Sequence, residues 1–302
     1  MEPKKILFAY DGSFCGNHAL GDLKRAGLPR ELDMLIVTVA EIWSLETEED
    51  TEGEHSLMPP VKNAVDISAR VKDELDSVRL LAGHAAEKVR KMFPAWTIDT
   101  RIYPDSPAWG VLHAAGDWKP DLIVLGSHGR STLGRFFLGS VSQKVLSEAR
   151  CSVRIARHRD CVEGSPVRLL IGVDGTPDSM AAVDEIAARD WPAGSSVKVL
   201  AVVPPIAIGT DEERAHQRMR QIAGDAAAGL CNAGLIADGM VGEGMPARVI
   251  LREAEKLGAD CIFLGARGHR FSERFLLGSV SSAVAARAGC SVEVTRSMKE
   301  GE

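Results

Sequence analysis

Apolar positions along the chain fall into two rhythms. KKILFAY (4–10), MLIVTVA (34–40) and DLIVLGS (121–127) are short, nearly continuous apolar runs, as in strands covered on both faces. TIDTRIY (97–103) and SVRIA (152–156) read as two further strands. Elsewhere the period lengthens. Val71, Leu75, Val78, Ala82, Ala85, Val89 and Met92 recur at three- and four-residue steps and predict one apolar stripe on a long helix. Shorter helices are predicted over Cys15 to Ala26, over Pro107 to Gly116 with Ser106 as cap and proline in the first turn, and over Ser140 to Ala149.

The order then repeats. RLLIGVD, VKVLAVV, ADGMVGE, CIFLGA and SVEVT are the second set of strands. Strands alternating with helices predict an α/β fold, a parallel sheet with helices on both faces. The repeat is visible in identities as well as in rhythm. GSHGRSTLGRFFLGS at 126–140 returns as GARGHRFSERFLLGS at 265–279, and the same offset of 139 aligns Pro107 with Pro246 and Cys151 with Cys290. Near the start of each half the offset is 163, matching Asp11-Gly12-Ser13 with Asp174-Gly175-Thr176 and Val39 with Val202. The first half therefore holds 24 additional residues (163 minus 139) between its second and third strands, most of them in the acidic stretch from Trp43 to Val65. Polar residues 158–166 mark the boundary, giving domains at 1–158 and 166–298.

Both copies of the motif read G-x2-G-x9-G-S: Gly126, Gly129, Gly139, Ser140 and Gly265, Gly268, Gly278, Ser279. In each, the first glycine ends a strand and the last precedes a helix. Open α/β sheets place ligand sites at the carboxyl ends of their strands. Glycine permits positive φ and close approach to the main chain, and a helix N-terminus attracts anions. Ser140 and Ser279 are placed either to donate a hydroxyl to a phosphate or to cap the helix. The first loop carries His128, Arg130 and Arg135 with no acid; the second has Arg267, His269, Arg270 and Arg274 against Glu273 alone. That is a local positive excess in a chain of net charge −6.

This pattern resembles the ATP-binding branch of the universal stress protein family, once per half and over nearly the whole chain. The resemblance implies two tandem Rossmann-like domains of the adenine nucleotide alpha hydrolase type, each a five-stranded parallel sheet in the order 3-2-1-4-5. It implies a site in each half for an adenine nucleotide (ATP, ADP or AMP), with Mg2+ as a companion ion. Asp11 with Gly12 and Ser13, and Asp174 with Gly175 and Thr176, would contact the nucleotide. Main-chain groups at Val39 and Val202 would meet adenine. Gly126, His128, Gly129, Arg130, Gly139, Ser140 and Val141 would hold ribose and phosphates in the first half. Gly265, Arg267, Gly268, Gly278, Ser279 and Val280 would do so in the second. The resemblance also implies that the last strand of each domain pairs across an interface. Here that becomes a pseudo-dimer of the two halves, with a homodimer of chains as a further step. One departure is Asp105, which becomes Gly244 in the second half; an aspartate there that reached a metal would help one site only.

Several classes are excluded. There is no G-x4-G-K-[ST], no G-x-S-x-G and no kinase motif set. No acid accompanies the loop arginines of the first copy to orient water, so hydrolysis is expected to be slow or absent. A phosphorelay receiver would need an acidic pair where Asp11 is followed by Gly12. The acidic balance speaks against general nucleic-acid binding. Cys15, Cys151, Cys161, Cys231, Cys261 and Cys290 form no C-x-x-C pair and read as reduced thiols. No apolar run approaches membrane-spanning length and no signal-peptide layout opens the chain, so a cytoplasmic setting is expected. The reading is a regulatory nucleotide binder. Its rivals are an interaction scaffold with vestigial pockets and a slow ATPase.

Overall fold

A computed structural model describes residues 4–41, 61–129, 138–157, 164–205, 212–268 and 277–297, with backbone alone for 61–68. Arg130, Arg135, His269, Arg270, Glu273, Arg274, Cys161 and most of the acidic Trp43 to Val65 stretch lie outside the described residues.

The first half runs β1 (Lys4–Ala9), α1 (Phe14–Asp22), β2 (Leu32–Ala40), α2 (Val61–Met92), β3 (Thr97–Pro104), α3 (Pro107–Trp118), β4 (Leu122–Gly126), α4 (Ser140–Glu148) and β5 (Ser152–Ala156). The second runs β6 (Arg168–Val173), α5 (Pro177–Ala187), β7 (Ser196–Val203), α6 (Glu212–Asn232), β8 (Ile236–Glu243), α7 (Pro246–Leu257), β9 (Cys261–Gly265), α8 (Ser279–Arg287) and β10 (Ser291–Thr295). Two boundaries move furthest from the sequence expectation. The first helix yields to a 3-10 turn at Leu23–Arg25 before reaching Ala26. Helix α2 starts at Val61, ahead of the apolar stripe, where exposed Ala69 and Arg70 show no buried face to announce it.

All ten strands form one sheet, in the order β3-β2-β1-β4-β5-β10-β9-β6-β7-β8. Each half keeps the order 3-2-1-4-5 with parallel pairing. Among the described strands only β5 and β10 pair antiparallel, joining the two halves edge to edge within one chain. This covers one of the two strand edges that each isolated half would leave open.

The continuous apolar runs are buried on both faces: Ile6, Leu7 and Phe8 are wholly inaccessible. One face, covered by α3, α4, α7 and α8, is a single core that crosses the junction through Val153, Ile155, Val292 and Val294. The other face carries two separate cores, one under α1 and α2, the other under α5 and α6. Strand alternation explains the gap between them. Arg154 and Glu293 sit opposite each other in the β5–β10 ladder and point to that second face. Arg154 bonds Glu293 at 3.1 Å, Asp22 at 2.6 Å and the Cys261 sulfur at 3.2 Å. Arg189 of the helical layer also pairs with Glu293. Removing one partner of such a buried pair costs about 3–5 kcal/mol, so the junction is specified by charge as well as by apolar contact.

Two more arginines cross the junction in mirror image. Arg157, just past β5, donates to the carbonyls of Ala285 and Cys290. Arg296, just past β10, donates to those of Leu146 at 2.6 Å and Cys151 at 2.9 Å. Each therefore satisfies carbonyls at the C-terminal end of the other half's motif helix, α8 or α4.

Candidate functional site

The strand order reverses direction between β1 and β4, and again between β6 and β9. These switch points put the turn after β1 beside the loop after β4, and the turn after β6 beside the loop after β9.

In the second half the chain leaves β6 through Asp174 and Gly175, whose φ of 82° is one that side-chain-bearing residues rarely adopt. The turn folds back on the aspartate: Oδ1 of Asp174 accepts from the Thr176 N–H at 3.0 Å and from its hydroxyl at 2.6 Å. Thr176 in turn caps α5, accepting from Ser179 N–H. The first half builds the same turn. Gly12 has φ 75°, Asp11 Oδ1 accepts from Ser13 N–H at 3.0 Å, and Ser13 caps α1 by accepting from Gly16 N–H at 3.0 Å. Sequence order thus fixes one oxygen of each carboxylate locally and aims the other at the glycine loop. A Cβ on Gly129 would stand 3.1 Å from Asp11 Oδ2, and one on Gly268 would stand 3.0 Å from Asp174 Oδ2.

The motif glycines do a different job from the one expected. Positive φ belongs to Gly12 and Gly175; no described motif glycine adopts it. Gly265 is required by packing: a Cβ there would lie 2.5 Å from Ser179 N and 2.7 Å from the Asp178 carbonyl carbon, in the first turn of α5. Gly126 faces the equivalent turn of α1, with Cys15 backbone at 2.9 Å. The first glycine therefore lets a helix start close against the sheet, and only the second lies open to the site's carboxylate.

The loop between the second and third glycines is pinched at its base. Gly139 N–H donates to Ser127 O at 2.8 Å, and Gly278 N–H to Ala266 O at 2.7 Å. A second clasp comes from Ser142 and Ser281, whose hydroxyls bond Gly126 O at 2.8 Å and Gly265 O at 2.7 Å. These serines were missed in the sequence, although Gly-Ser-Val-Ser is common to both copies. Ser140 and Ser279 are not caps. The N-cap positions are Gly139 and Gly278, extended and without a capping side chain, so the serines are the first helical residues and both are exposed. The amides of 140–142 and 279–281 are thus first-turn groups without intrahelical acceptors, and they carry the positive end of the helix dipole.

The two halves part at the cavity. In the second half one hollow of about 620 Å3 is lined by Asp174, Val202, Gly265, Arg267, Gly268, Gly278, Ser279 and Val280. Gly175 and Thr176 stand behind Asp174 and do not line it. Its dry walls are Leu200, Pro204, Met219, Met245 and Ile250, and Arg218 stands on the α6 side. Arg267 is braced by Asp178, which is 3% exposed. That carboxylate accepts from Arg267 N at 3.1 Å and Nε at 2.9 Å, and from Ser297 N at 3.1 Å and its hydroxyl at 2.5 Å. Burial pulls the Asp178 pKa upward, but the bonds from Arg267 and Ser297 outweigh it and hold it below the ordinary carboxylate value.

In the first half Asp11, Gly12 and Ser13 line a hollow of about 740 Å3 on the α2 side, together with Asp73, Asp76, Ser77, Leu80 and His84. Val39, Gly126, His128, Gly129, Gly139, Ser140 and Val141 do not line it. Cys15 and His128 occupy the positions of Asp178 and Arg267. His128 Nδ1 lies 3.1 Å from the Ser127 hydroxyl, and its buried Nε2 has no partner among the described residues. Burial, and then the charge of Arg157, push its pKa below the ordinary histidine value. Beside Val39, β3 carries Tyr103, packed against the same core; beside Val202, β8 has Gly242.

Asp105 does not turn to the site. It accepts from Ser106 N–H at 2.6 Å and pairs with His113 Nδ1 at 2.8 Å, at the start of α3. Ser106 itself makes no side-chain capping bond. Among the described residues no three His, Cys, Asp or Glu side chains gather to hold a metal ion. No described helix is long and apolar enough to cross a membrane.

Known proteins agree with this architecture. The family model described as the universal stress protein family matches residues 2–157 and again 167–296. A universal stress protein of Thermus aquaticus is 32% identical over 154 residues, 51% of this chain and 98% of that protein. One from Mycolicibacterium smegmatis is 29% identical over 233 residues, 71% of this chain and 76% of its own. The crystal structure of a universal stress protein from Archaeoglobus fulgidus covers 99% of this chain and 98% of that one at a TM-score of 0.62 and 19% identity, a likeness of fold. The chain, with its two copies of the pattern, belongs to the universal stress protein family.

Proposed function

We propose that the chain is a regulatory binder of adenine nucleotides, with a candidate site at the switch point of each half. The supporting observation is the convergence in the second half. Residues chosen from a sequence repeat, from four separate loops and strand ends, line one cavity of about 620 Å3. Its chemistry suits the parts of a nucleotide. Leu200, Val202, Pro204 and Met219 offer a dry wall for a flat base. The Asp174 carboxylate suits ribose hydroxyls, and the uncapped α8 N-terminus with Gly268 suits phosphate oxygens. Mg2+, when present, would be held chiefly by the phosphates, with Asp174 or Asp11 as the protein carboxylate within the motif.

Binding rather than rapid turnover fits the cavity. Among the described residues Asp174 is the only carboxylate lining it, and its Oδ1 is already engaged by Thr176. Occupancy would act by favouring one of two conformations or associations, through a difference in affinity between them. A cytoplasmic setting and a homodimer of chains belong to the same proposal. Because β5 and β10 pair inside the chain, that homodimer would need another surface.

The test is calorimetric titration of ATP, ADP and adenosine into wild type and Gly268→Val, with nucleotide in freshly purified, denatured protein identified by mass spectrometry. The expected result is binding by wild type and its loss in Gly268→Val, with circular dichroism unchanged. Equal binding by the variant, or no binding of any of the three to wild type, overturns the proposal.

A further inference from the structure

Resting on that reading, we infer that the two sites are unequal: a phosphate-bearing nucleotide occupies the second half alone, one per chain, because its walls present Arg218 and Arg267 where the first half presents Ser77 beside Asp73 and Asp76 and holds His128 in place of Arg267.

The α2 and α6 walls are equivalent, which makes the comparison position by position. Leu81 of α2 packs against Gly12 as Ile222 of α6 packs against Gly175. One helical turn before these anchors stand Ser77 and Arg218, each lining its own hollow. One turn further back, Asp73 lines the first hollow, and Arg214 holds the matching position in α6. The walls therefore carry opposite charge. Arg218 is exposed and makes no hydrogen bond or ion pair among the described residues. Asp76 is paired with Arg79 at 2.7 Å, which leaves Asp73 as the net charge of that wall.

The glycine loops differ in the same sense. Arg267 lines the cavity while its brace Asp178 does not. His128 holds the position of Arg267 in the first half, and burial, then the charge of Arg157, push its pKa down. Among the described residues, an oligophosphate entering the second half meets the Arg218 cation, the Arg267 side chain braced by Asp178, and a helix N-terminus. In the first half the described hollow presents Ser77 and the carboxylates of Asp11 and Asp73, and neither His128 nor the α4 N-terminus lines it. The shared backbone framework supplies shape in both halves, and the side chains decide where the charge goes.

The experiment uses the full chain. ADP and adenosine are titrated by calorimetry into wild type and Arg218→Ser, which installs the first half's residue at an exposed position where folding is not at stake. Hydrogen exchange is followed at rising ADP. The expected stoichiometry for ADP is one per chain, with protection at residues 265–268 and 278–284 and free-protein exchange at 126–129 and 139–145. Arg218→Ser weakens ADP about tenfold and leaves adenosine within about twofold, the size of one lost charge-assisted contact. Protection of both loops at the same ADP concentration, or an ADP affinity unmoved by Arg218→Ser, overturns the inference while the nucleotide reading stands. Failure of both ADP and adenosine to bind overturns the two together.

Discussion

The two halves repeat each other in backbone and differ in what the backbone is made to face. Both turn left-handed at the glycine after the aspartate, both pinch the motif loop at its base, and both start a helix on an uncapped glycine. Yet among the described residues the second half gathers its motif residues around one cavity, while the hollow described in the first half lies against α2. A duplicated motif is thus a duplicated scaffold, and a ligand site depends in addition on residues outside the motif: Asp178, Ser297 and Arg218 in one half; Cys15, Asp73 and Tyr103 in the other. A motif match would rank the two sites as equal, and the structure does not.

The comparison can be broken most forcefully at the first glycine. Gly265→Ala drives a Cβ into the α5 backbone and is expected to cost about 3 kcal/mol; Gly126→Ala, less tightly enclosed, about 2 kcal/mol. Urea midpoints at unchanged slope would measure both. Tolerance at Gly265 would show that the close start of α5 is not fixed.

The crossed arginines come next. Arg296→Gln removes bonds to Leu146 and Cys151 and is expected to cost about 1–2 kcal/mol. Its signature is location: faster hydrogen exchange in α4, in the half that does not contain the mutation. Arg157→Gln should do the same to α8. Loosening confined to each arginine's own half would refute the crossing.

A smaller effect separates the loops by pH. The folded pKa of His128 lies below its unfolded value, so the unfolded chain binds the extra proton first. Stability falls as pH drops below about 6.5 and levels off beneath the folded pKa. His128→Gln removes that slope. Asp178 has the carboxylate sense: its contribution is present above the ordinary carboxylate pKa of about 3.9 and is lost as pH falls through the lower folded value. Asp178→Asn flattens the acid limb alone. Thermal melts from neutral to acid pH distinguish the two windows.

The smallest change is expected at Asp105→Gly, which copies the second half. It breaks an exposed pair with His113 and a bond to Ser106 N–H, about 0.5 kcal/mol by melting, with no effect on nucleotide binding.

Much of this was legible in the chain. The continuous run DLIVLGS announced a doubly covered strand, and Leu122 to Leu125 are all buried. Asp11-Gly12-Ser13 and Asp174-Gly175-Thr176 announced turns whose hydrogen bonds close within two residues. Other features had no local signature. Arg154 and Glu293 look like the outward residues of half-exposed strands. They are 1% and 0% exposed because they face each other across the β5–β10 ladder and are enclosed by Asp22 and Arg189 of the helical layer. Arg267 looked like a cation free to meet phosphate; its tie to Asp178 joins residues far apart in the chain.

The sequence alone determined the repeat, the strand and helix periods and the placing of the motif at strand ends, because those follow from neighbouring residues and the geometry of one turn or one pleat. The tertiary structure decided which glycine answers to packing, which strands meet at the junction, and which half gathers its described motif residues around one cavity. Those outcomes depend on tenths of an ångström and on charges brought together from opposite ends of the chain, where local pattern carries no information.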